Sequence, residues 1–452
     1  MRVRFDIAVI GGGVVGLAVL RRFAMAGLKC VLLERGADIL SGASKGNSAL
    51  LHTGFDAPPK SLELRCMRTG YKEYLNIRDK LNLPLIESSG LVVAWTEDEL
   101  AALPEIVAKA HRNGIADTRQ ISAIELRLKE TNLAKPALGA VLVPGEHIID
   151  AWSAPLAYAH QALAHGALII RNAEVKGGDF ISDSWQLETG QGAFTATVVV
   201  NAAGNLGDLV EAMARPSPFT IKPRKGQFVV FDKPAYKLAR AIILPVPTSR
   251  TKGIVVFRTA FGNLAVGPTA EDQDDRELAT CDRDALLRLK ARAIEIVPAL
   301  ANIDVTANYA GLRPATEHKD YVIEALAGKN WITIGGIRST GLTAALGIAE
   351  YVSALYGKNF GELPKKPPRQ AWGPVPNLTE ERVRPYMKGG EIICHCEHVT
   401  RAEITDALEG PLPAGDMGGL KRRTRAMMGR CQGFYCSARI AEITKGRFDA
   451  KP

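Results

Sequence analysis

Long hydrophobic runs are missing from this sequence of 452 residues. No stretch reaches the roughly 20 apolar residues that a membrane-spanning helix requires. The first residues resemble a secretory signal, because Arg2 and Arg4 precede an apolar run. However, residues 11–13 are all glycine and no A-x-A cleavage site follows. We therefore expect a cytoplasmic protein without a transmembrane segment.

Basic tracts with interleaved aromatic residues are also missing, although lysine and arginine outnumber the acidic residues by 57 to 48 and the formal net charge is +9. Without such a tract, nucleic-acid binding is not expected. An anionic substrate or an acidic protein partner accounts for the positive excess. The hydrophobic share of 46% is that of an ordinary globular protein. The length suggests two or three domains.

Cysteine is scarce, and the 7 cysteines do not form the regular framework of a disulfide-rich secreted protein. Cys30 falls in an apolar strand, where we interpret it as packing, and Cys66 and Cys281 carry no motif. The remaining cysteines crowd into the last sixty residues as a C-x-C pair at 394 and 396 and a C-x4-C pair at 431 and 436.

Residues 5–35 predict a strand, a glycine turn, a helix and a second strand, which is a βαβ unit of a parallel sheet. Gly11, Gly13 and Gly16 form G-x-G-x-x-G, and Glu34 ends the second strand. Such glycines permit a tight turn, a close approach of the backbone to a pyrophosphate, and contact between helix and strand. The pyrophosphate would rest on the helix N-terminus and Glu34 would bind a ribose. The pattern predicts a dinucleotide site without distinguishing FAD from NAD.

Two further segments favour FAD: NAAG at 201–204 follows an apolar strand, and GGIRSTGLTAA at 335–345 opens the last long helix. Together with residues 44–65, 222–233 and 310–314, they resemble flavoproteins of the D-amino-acid oxidase superfamily. The resemblance covers nearly the whole chain and is to the bacterial glycerol-3-phosphate or L-2-hydroxyglutarate dehydrogenase-like branch that carries an iron–sulfur module. It implies FAD as the cofactor. No second dinucleotide fingerprint is present, so a nicotinamide electron acceptor is not expected.

The resemblance also implies which residues line the FAD site. The fingerprint residues Gly11, Gly13, Gly16 and Glu34 are joined by residues of the loops that close over the flavin. These additional residues are Val14, Val15, Arg35, Ser44, Asn47, Ser48, Val175, Gly204, Gly336, Arg338, Gly341, Leu342 and Thr343.

We expect an α/β fold in which a Rossmann-type FAD-binding domain carries an inserted antiparallel-sheet substrate domain and is followed by a small iron–sulfur domain. The FAD-binding domain is predicted from residues 1–86, 149–222 and 323–360, and the substrate domain from 87–148 and 223–322. Residues 361–390 contain six prolines, which predict an extended, semi-rigid linker, and residues 391–447 form the cysteine-bearing domain.

Four thiolates hold either a [2Fe–2S] cluster or a tetrahedral zinc ion, although the single-residue gap at 394–396 is unusual for zinc. The segments ICHCEHVTRAEI (393–404) and LKRRTRAMMGRCQGFYC (420–436) resemble the bacterioferritin-associated ferredoxin-like domain. That resemblance implies a [2Fe–2S] cluster with the ligands Cys394, Cys396, Cys431 and Cys436. Two neighbouring histidines, His395 and His398, permit a Rieske interpretation. Because four cysteines are available, we expect these histidines to surround the ligands or to be exposed.

Flavin dehydrogenation needs a base for the substrate proton and a cation for an anionic substrate. His52 is the candidate base, because a neutral imidazole accepts an alcohol proton near neutral pH; the alternative is a structural histidine. Arg313, in AGLRP, matches the substrate-facing arginine region of the family and is the candidate cation. Lys225 and Arg338 are weaker candidates, and Arg338 could contact FAD instead.

The basic run 421–425, with Arg430 beyond it, has two interpretations: a docking site for an acidic electron partner, or a solvated helix face that offsets the charge of the cluster.

These features predict an FAD-dependent dehydrogenase that oxidises a small anionic 2-hydroxy compound and passes electrons through a [2Fe–2S] cluster to a quinone or a redox protein. The resemblance places glycerol 3-phosphate first and L-2-hydroxyglutarate second. An amine, opine or D-amino acid substrate is an alternative within the same fold. A non-catalytic flavin/iron–sulfur electron-transfer component of a larger oxidase is an alternative of another class, and the chain could form homo- or hetero-oligomers.

Overall fold

The computed structural model describes residues 4–247, 253–364, 371–383 and 390–448. The α-helices are α1 Val14–Met25, α2 Leu62–Leu81, α3 Glu97–Arg112, α4 Ala123–Lys129, α5 Ser153–Ala164, α6 Gly207–Glu211, α7 Arg283–Ile296, α8 Gly341–Asn359, α9 Arg401–Glu409, α10 Met417–Thr424 and α11 Ser437–Ile443. The strands are β1 Arg4–Ile10, β2 Cys30–Leu33, β3 Leu50–Leu51, β4 Leu85–Glu87, β5 Gly90–Ala94, β6 Arg119–Ser122, β7 Gly139–Val143, β8 His147–Ile149, β9 Leu168–Ile170, β10 Val175–Ile181, β11 Ser184–Thr189, β12 Gly192–Asn201, β13 Arg224–Phe231, β14 Ile242–Pro245, β15 Val255–Arg258, β16 Leu264–Gly267, β17 Glu271–Asp272, β18 Val305–Arg313, β19 Val322–Leu326, β20 Trp331–Gly335, β21 Ile392–Cys394 and β22 Val399–Thr400. None of the described helices has the length and apolar composition that crossing a membrane takes.

The predicted βαβ unit forms the centre of a first sheet, in which β1 and β2 are parallel neighbours joined by α1. On the other side of β1 lies β12, followed by β20, both parallel to it. Strand β9 extends the sheet beyond β2, and antiparallel β10, β11 and β19 complete it. Its two faces are buried in separate apolar cores, which explains why its central strands are continuous hydrophobic runs. We call this the nucleotide sheet.

A second sheet has the order β17-β13-β16-β15-β14-β5-β7-β6, with β18 also paired to β13. The antiparallel prediction holds for its hairpins, but β5 and β14 pair in parallel. These two strands come from the separate segments 87–148 and 223–322, so no hairpin connection fixes their relative direction. The boundaries of the segments stay predictions.

A small third sheet, the bridging sheet, consists of β8 paired antiparallel with both β3 and β4. Leu50 and Ile148 face each other and pack into an apolar cluster with residues of the second sheet. The adjacent Leu51 and Ile149 point to the opposite face and belong to the core beneath the nucleotide sheet. Because side chains alternate along a strand, this sheet joins the two large cores.

Residues 390–448 form a compact C-terminal module with its own apolar core. The module is anchored to the nucleotide-binding region by Asp38, a fully buried carboxylate that accepts two hydrogen bonds from the Arg423 guanidinium at 2.6 and 2.9 Å. Arg422 adds a hydrogen bond of 3.0 Å to the carbonyl oxygen of Ile39. Removing one partner of such a buried pair costs about 3–5 kcal/mol, so the module is held firmly.

The predicted proline-rich linker lies partly outside the described residues, including Pro367, Pro368 and Pro385. The described residues 371–383 contain no helix or strand, and they pack along the body of the protein. The amide of Val375 donates to the carbonyl oxygen of Leu81. Hydrogen bonding and burial along 371–383 mean that this part is not a spacer surrounded by solvent.

Helices α2 and α8 cross at two glycines. A Cβ on Gly70 would lie 2.1 Å from the carbonyl oxygen of Thr343, and one on Gly347 would lie 2.0 Å from that of Cys66. Both distances are far below van der Waals contact, so the helices approach this closely only because these residues lack side chains. The crossing holds the N-terminal turn of α8 in place.

We expect Gly347→Ala to lower the free energy of unfolding by about 1–3 kcal/mol, because the new methyl group overpacks the crossing. Gly357→Ala in the same helix is the matched control, since a Cβ there meets nothing within 4 Å. That control should be neutral or stabilising by about 0.5–1 kcal/mol, as alanine is the better helix former. Denaturant unfolding of the two variants measures both effects, and equal stabilities would disprove the close crossing.

Candidate active site and cluster-binding module

The glycine turn after β1 brings α1 close to the nucleotide sheet. Gly11 has φ = +108°, and a Cβ there would lie 2.5 Å from the carbonyl oxygen of Ala202. A Cβ on Gly16 would lie 2.0 Å from the carbonyl oxygen of Gly11. Neither position accepts a side chain, so the backbone of the turn stays open to a ligand, as the fingerprint predicts.

The N-terminus of α1 supplies donors for an anion. The amide of Val14 donates to Ser44 Oγ at 3.0 Å. Helix geometry leaves the amides of Val15 and Gly16 without an intrahelical acceptor. The first turn contains no acidic residue, so the positive end of the helix dipole is not neutralised. Val14, Val15, Gly16 and Ser44 therefore fit the pyrophosphate contacts predicted for them.

Glu34 lies at the end of β2, where its carboxylate is almost completely buried. Its two oxygens accept hydrogen bonds of 2.7 Å from the amides of Gly12 and Gly36. Burial raises the pKa of this carboxyl group, and the two amide hydrogen bonds oppose that rise. Each oxygen retains a second lone pair, so the carboxylate is fixed in place and still able to bind a ribose hydroxyl.

Four other predicted cofactor residues surround this region. The side chain of Asn47 shapes its own loop by bonding the carbonyl oxygen of Ser44 and the amide of Ala49, and Ser48 is the next residue of that loop. Val175 begins β10 and packs with the apolar residues at the ends of β1 and β2. Arg35 forms an ion pair with Glu277, which engages its guanidinium within the protein.

The loops after β12 and β20 reach the same edge of the sheet, as expected for carboxyl ends of parallel strands. Gly204 and Gly336 lie in these loops with φ of +58° and +72°. Arg338, in the second loop, donates to the carbonyl oxygen of Lys319. Gly341 and Leu342 then begin α8. Predicted cofactor residues from β1, β2, β12 and β20 thus share one edge.

His52 is coupled to a carboxylate that the sequence did not reveal. Its ring Nδ1 lies 2.6 Å from Glu146 Oε2, and the Glu146 side chain is completely buried. The other oxygen of Glu146 accepts from the amide and hydroxyl of Thr53. The backbone amide of His52 donates to Thr343 Oγ1 on α8 at 3.0 Å. With Nδ1–H donated to Glu146, Nε2 carries the lone pair and can act as a base.

Glu146 was missed because no local motif marks it. It lies in the turn between β7 and β8, 94 residues from His52 along the chain. The two residues come together because β8 pairs with β3, which immediately precedes His52. The sequence GEHII (145–149) shows a carboxylate next to a short apolar strand. This pattern is too common to identify a partner of His52 without the structure.

Arg313 ends β18 and lies in an unusual electrostatic position. Its guanidinium donates to the carbonyl oxygen of Thr269 at 3.2 Å, and no carboxylate pairs with it within the described part of the chain. Burial, with a smaller contribution from nearby Arg224, lowers the pKa of Arg313 to about 10. Lys225, the weaker candidate, is paired with Glu271 at 3.2 Å. Arg313 is therefore the cation that an anionic ligand would neutralise.

Strand β18 also contacts the loop that leads to His52. A Cβ on Gly311 would lie 2.3 Å from the carbonyl oxygen of Gly46, and the Tyr309 hydroxyl donates to the carbonyl oxygen of Asn47 at 2.8 Å. The strand that carries Arg313 is thus packed against the loop between Ser44 and His52. Ser44 is the residue that contacts the N-terminus of α1.

The four predicted cluster ligands fall into two pairs. Burial raises the pKa of the Cys396 and Cys436 thiols, and the neighbouring thiols of Cys431 and Cys394, respectively, raise it further. Among the described residues, no three Cys, His, Asp or Glu side chains converge as one metal ion requires. A [2Fe–2S] cluster takes four cysteines on two irons, so a two-by-two arrangement fits the cluster better than mononuclear zinc.

Backbone amides also favour an anionic group at this site. Those of Tyr435, Gly433 and Phe434 point at the Cys431 sulfur and lower the pKa of its thiol. Amide hydrogen bonds to sulfur stabilise the negative charge of a thiolate-bound cluster. The loop 431–436 is therefore suited to holding the group that its cysteines predict.

The basic run 421–425 does not form the docking patch that one interpretation suggested, nor a solvated face. Arg422 is buried on Ile39, and Arg423 is paired with Asp38. Arg425 is buried beside Glu397. These arginines attach the module to the rest of the chain, which a charge count could not distinguish from a surface face.

Family comparisons agree with this division of the chain. The profile described as FAD dependent oxidoreductase matches residues 6–355. The profile described as BFD-like [2Fe-2S] binding domain matches residues 392–445.

Individual relatives match over most of their length. A protein of Caloramator mitchellensis named glycerol 3-phosphate dehydrogenase is 32% identical over 451 residues, covering 97% of this chain and 93% of the relative. The glycerol 3-phosphate oxidase of Mycoplasma pneumoniae is 30% identical over 377 residues, covering 80% of this chain and 96% of the relative. The FAD-bound structure of L-alpha-glycerophosphate oxidase from the same organism superimposes with a TM-score of 0.77 at 27% identity, covering 83% of this chain and all of that one.

We expect Arg313→Met to weaken transition-state binding of an anionic substrate by about 2–5 kcal/mol, as for removal of one buried charge partner. Arg313→Lys should restore little, because the planar fork is lost. Without ligand, Arg313→Met should be no less stable than the wild type, since it removes a buried cation that lacks a counter-charge.

Measurements of kcat/KM and of thermal unfolding test both expectations. Arg224→Met is the control, because this partly exposed arginine faces Arg313 across the β13–β18 pair and is already neutralised by Asp272. An unchanged kcat/KM in Arg313→Met would remove Arg313 from the site.

Proposed function

The chain belongs to the FAD dependent oxidoreductase family, and from this premise we propose that it oxidises glycerol 3-phosphate and releases the electrons through its [2Fe–2S] cluster. The predictions of an FAD-dependent oxidoreductase with a second, iron–sulfur cofactor are confirmed by the two family matches. The substrate proposal is supported by relatives named for glycerol 3-phosphate that match most of this chain. The acceptor, a quinone or a redox protein, is part of the proposal.

One observation carries the choice of an anionic substrate: the half-buried guanidinium of Arg313, which has no paired carboxylate among the described residues. A phosphate or carboxylate group would supply the missing charge and accept two hydrogen bonds from the fork. A neutral alcohol would leave the cation uncompensated. Among anionic substrates, the named relatives favour the phosphate monoester of glycerol.

The bound FAD supplies the acceptor for the hydride that leaves the carbinol carbon. Arg313 holds the anionic group of the substrate and so fixes which carbon faces the flavin. His52 Nε2 takes the hydroxyl proton as the carbon–hydrogen bond breaks. Glu146 keeps the other ring nitrogen protonated and lies beside the positive charge that forms on the imidazole. Thr343 fixes the backbone of His52 against the N-terminal turn of α8.

We expect anaerobic glycerol 3-phosphate to bleach the flavin of the purified holoenzyme faster than any other compound in a panel. The panel should contain glycerol, L-2-hydroxyglutarate and D-alanine, so that loss of the phosphate, a different hydroxy acid and an amine are each represented. Stopped-flow absorbance in the flavin band measures the rate. Faster bleaching by L-2-hydroxyglutarate or by the amine would replace the proposed substrate, and bleaching by none would favour a non-catalytic electron-transfer role.

We expect His52→Gln to keep FAD bound and to slow flavin reduction by roughly 10²–10⁴-fold, the usual contribution of a general base. Glu146→Gln should also slow reduction by about 10²-fold or more, because an amide cannot impose the same tautomer on His52. Glu87→Gln is the control, since this exposed residue lies on the neighbouring strand of the bridging sheet.

Reduction rates and FAD content of the three variants should be measured together. Wild-type reduction in Glu146→Gln with intact FAD would show that the His52–Glu146 contact is structural only.

A further inference from the structure

An aromatic and cationic stack crosses the boundary between the flavoprotein body and the C-terminal module. The rings of Trp152 and Phe261 are stacked, with centroids 5.7 Å apart and an interplanar angle of 13°. The guanidinium carbon of Arg425 lies 3.8 Å from the centroid of the Phe261 ring. Phe261 and Arg425 are almost completely buried. We call Trp152, Phe261 and Arg425 the interface stack.

On one side the interface stack reaches the loop beside the dinucleotide site. Trp152 Nε1 donates to the carbonyl oxygen of Lys45 at 3.3 Å. The preceding residue, Ser44, is the one that accepts from the amide of Val14 at the start of α1. Trp152 also directly follows the bridging sheet, whose strand β8 pairs with the strand leading to His52. Trp152 is therefore connected to the loop of Ser44 by a hydrogen bond, and to the strand before His52 through the pairing of β3 with β8.

On the other side the interface stack reaches the cluster ligands. The Arg425 guanidinium forms an ion pair of 3.3 Å with Glu397, whose side chain is buried. Glu397 is the residue after the ligand Cys396. Arg425 adopts φ = +71° at the end of α10, a conformation that costs a non-glycine residue free energy. Its side-chain contacts offset that cost.

Residues 371–383 of the linker contact the turn that carries Phe261. The amide of Glu380 donates to the carbonyl oxygen of Ala260 at 3.0 Å, and Leu378 packs with Ala260 and Phe261. The second sheet and residues 371–383 thus hold the Phe261 ring independently of Arg425. A ring held in this way can fix the position of the Arg425 guanidinium that stacks on it.

From these contacts we propose that the interface stack positions the C-terminal module so that its cluster lies within electron-transfer reach of the flavin. The inference rests on the proposed route through the cluster. Each transfer moves one electron and no atoms: the flavin loses one electron and one ferric iron of the cluster becomes ferrous. The second electron follows after the external acceptor has reoxidised the cluster.

The role is distinct from attachment alone, because attachment has its own contact. Asp38 and Arg423 form a buried, doubly hydrogen-bonded ion pair two residues before Arg425, and Arg422 adds a hydrogen bond to the carbonyl oxygen of Ile39. Losing the interface stack should therefore leave the module attached but free to shift. Electron tunnelling slows with every added ångström between the two redox groups, so a displacement of the module would be measurable.

The experiment compares Phe261→Leu with Trp152→Leu and Trp152→Phe in the holoenzyme. Laser-flash reduction of the flavin, which needs no substrate, starts the transfer, and the absorbance and electron paramagnetic resonance of the reduced cluster follow it. We expect the two leucine variants to transfer electrons several-fold more slowly than the wild type. Trp152→Phe keeps an aromatic face against Phe261 but loses the hydrogen bond to Lys45, so its rate should lie between those of the wild type and Trp152→Leu.

Hydrogen exchange of the holoenzyme gives a second readout that does not depend on turnover. Phe261→Leu should raise exchange in α10, which carries Arg425 at its end, while cofactor content and substrate bleaching stay normal. Phe231→Leu is the matched control, because Phe231 is a completely buried phenylalanine in a different core of the second sheet.

Transfer at the wild-type rate in Phe261→Leu, or equal slowing in Phe231→Leu, would overturn the proposal. If Phe261→Leu fails to fold, Trp152→Leu and Trp152→Phe decide the question by the same criterion. Failure of glycerol 3-phosphate to bleach the flavin would overturn the substrate proposal alone, since the flash experiment and the exchange measurement do not use it.

Discussion

The pairing of β3 with β8 is the constraint on which the arrangement of the site depends. These short strands place His52 immediately after one strand and Glu146 immediately before the other, so a correct register brings imidazole and carboxylate together. A slip by one residue would turn each side chain to the opposite face. The slip is opposed because Leu50 and Leu51 pack into two different cores. Hydrophobic packing thus fixes a polar contact that the catalytic chemistry needs.

Charge is distributed unevenly among the arginines that are shielded from solvent. In the C-terminal module Arg423 is paired with Asp38 and Arg425 with Glu397, whereas Arg422 is buried against the carbonyl oxygen of Ile39. Arg313 is the contrasting case, with a carbonyl oxygen as its hydrogen-bond partner and burial that disfavours its charged form. A charge that is shielded from water and has no counter-charge lowers the stability of the fold. A ligand that supplies the counter-charge removes this cost, and the gain adds to its binding free energy. This charge imbalance is the reason why we propose Arg313 as the residue that binds the anionic substrate.

The sequence predicted what local patterns encode. Gly11, Gly16 and Glu34 could be placed because the physics of a strand–turn–helix unit is contained within about thirty residues of chain. The cysteine pairs could be placed because their spacing and surroundings are also local. Glu146 could not be assigned, since its meaning arises from a strand pairing across 94 residues. The arginines at 422–425 were ambiguous for the same reason: burial against Asp38, 385 residues away for Arg423, is not written in their neighbours.

The linker shows most clearly how tertiary contacts change the meaning of a composition. Its prolines predict an extended, semi-rigid chain, but extended chain is compatible both with a free spacer and with a packed strap. Glu380 and Leu378 hold residues 371–383 against the Ala260–Phe261 turn. Arg425 of the module stacks on the Phe261 ring of the same turn. A module attached by a packed strap, a buried ion pair and a ring stack has little freedom to swing. On the proposed route through the cluster, the packing of these few side chains at the boundary sets the distance that an electron has to travel.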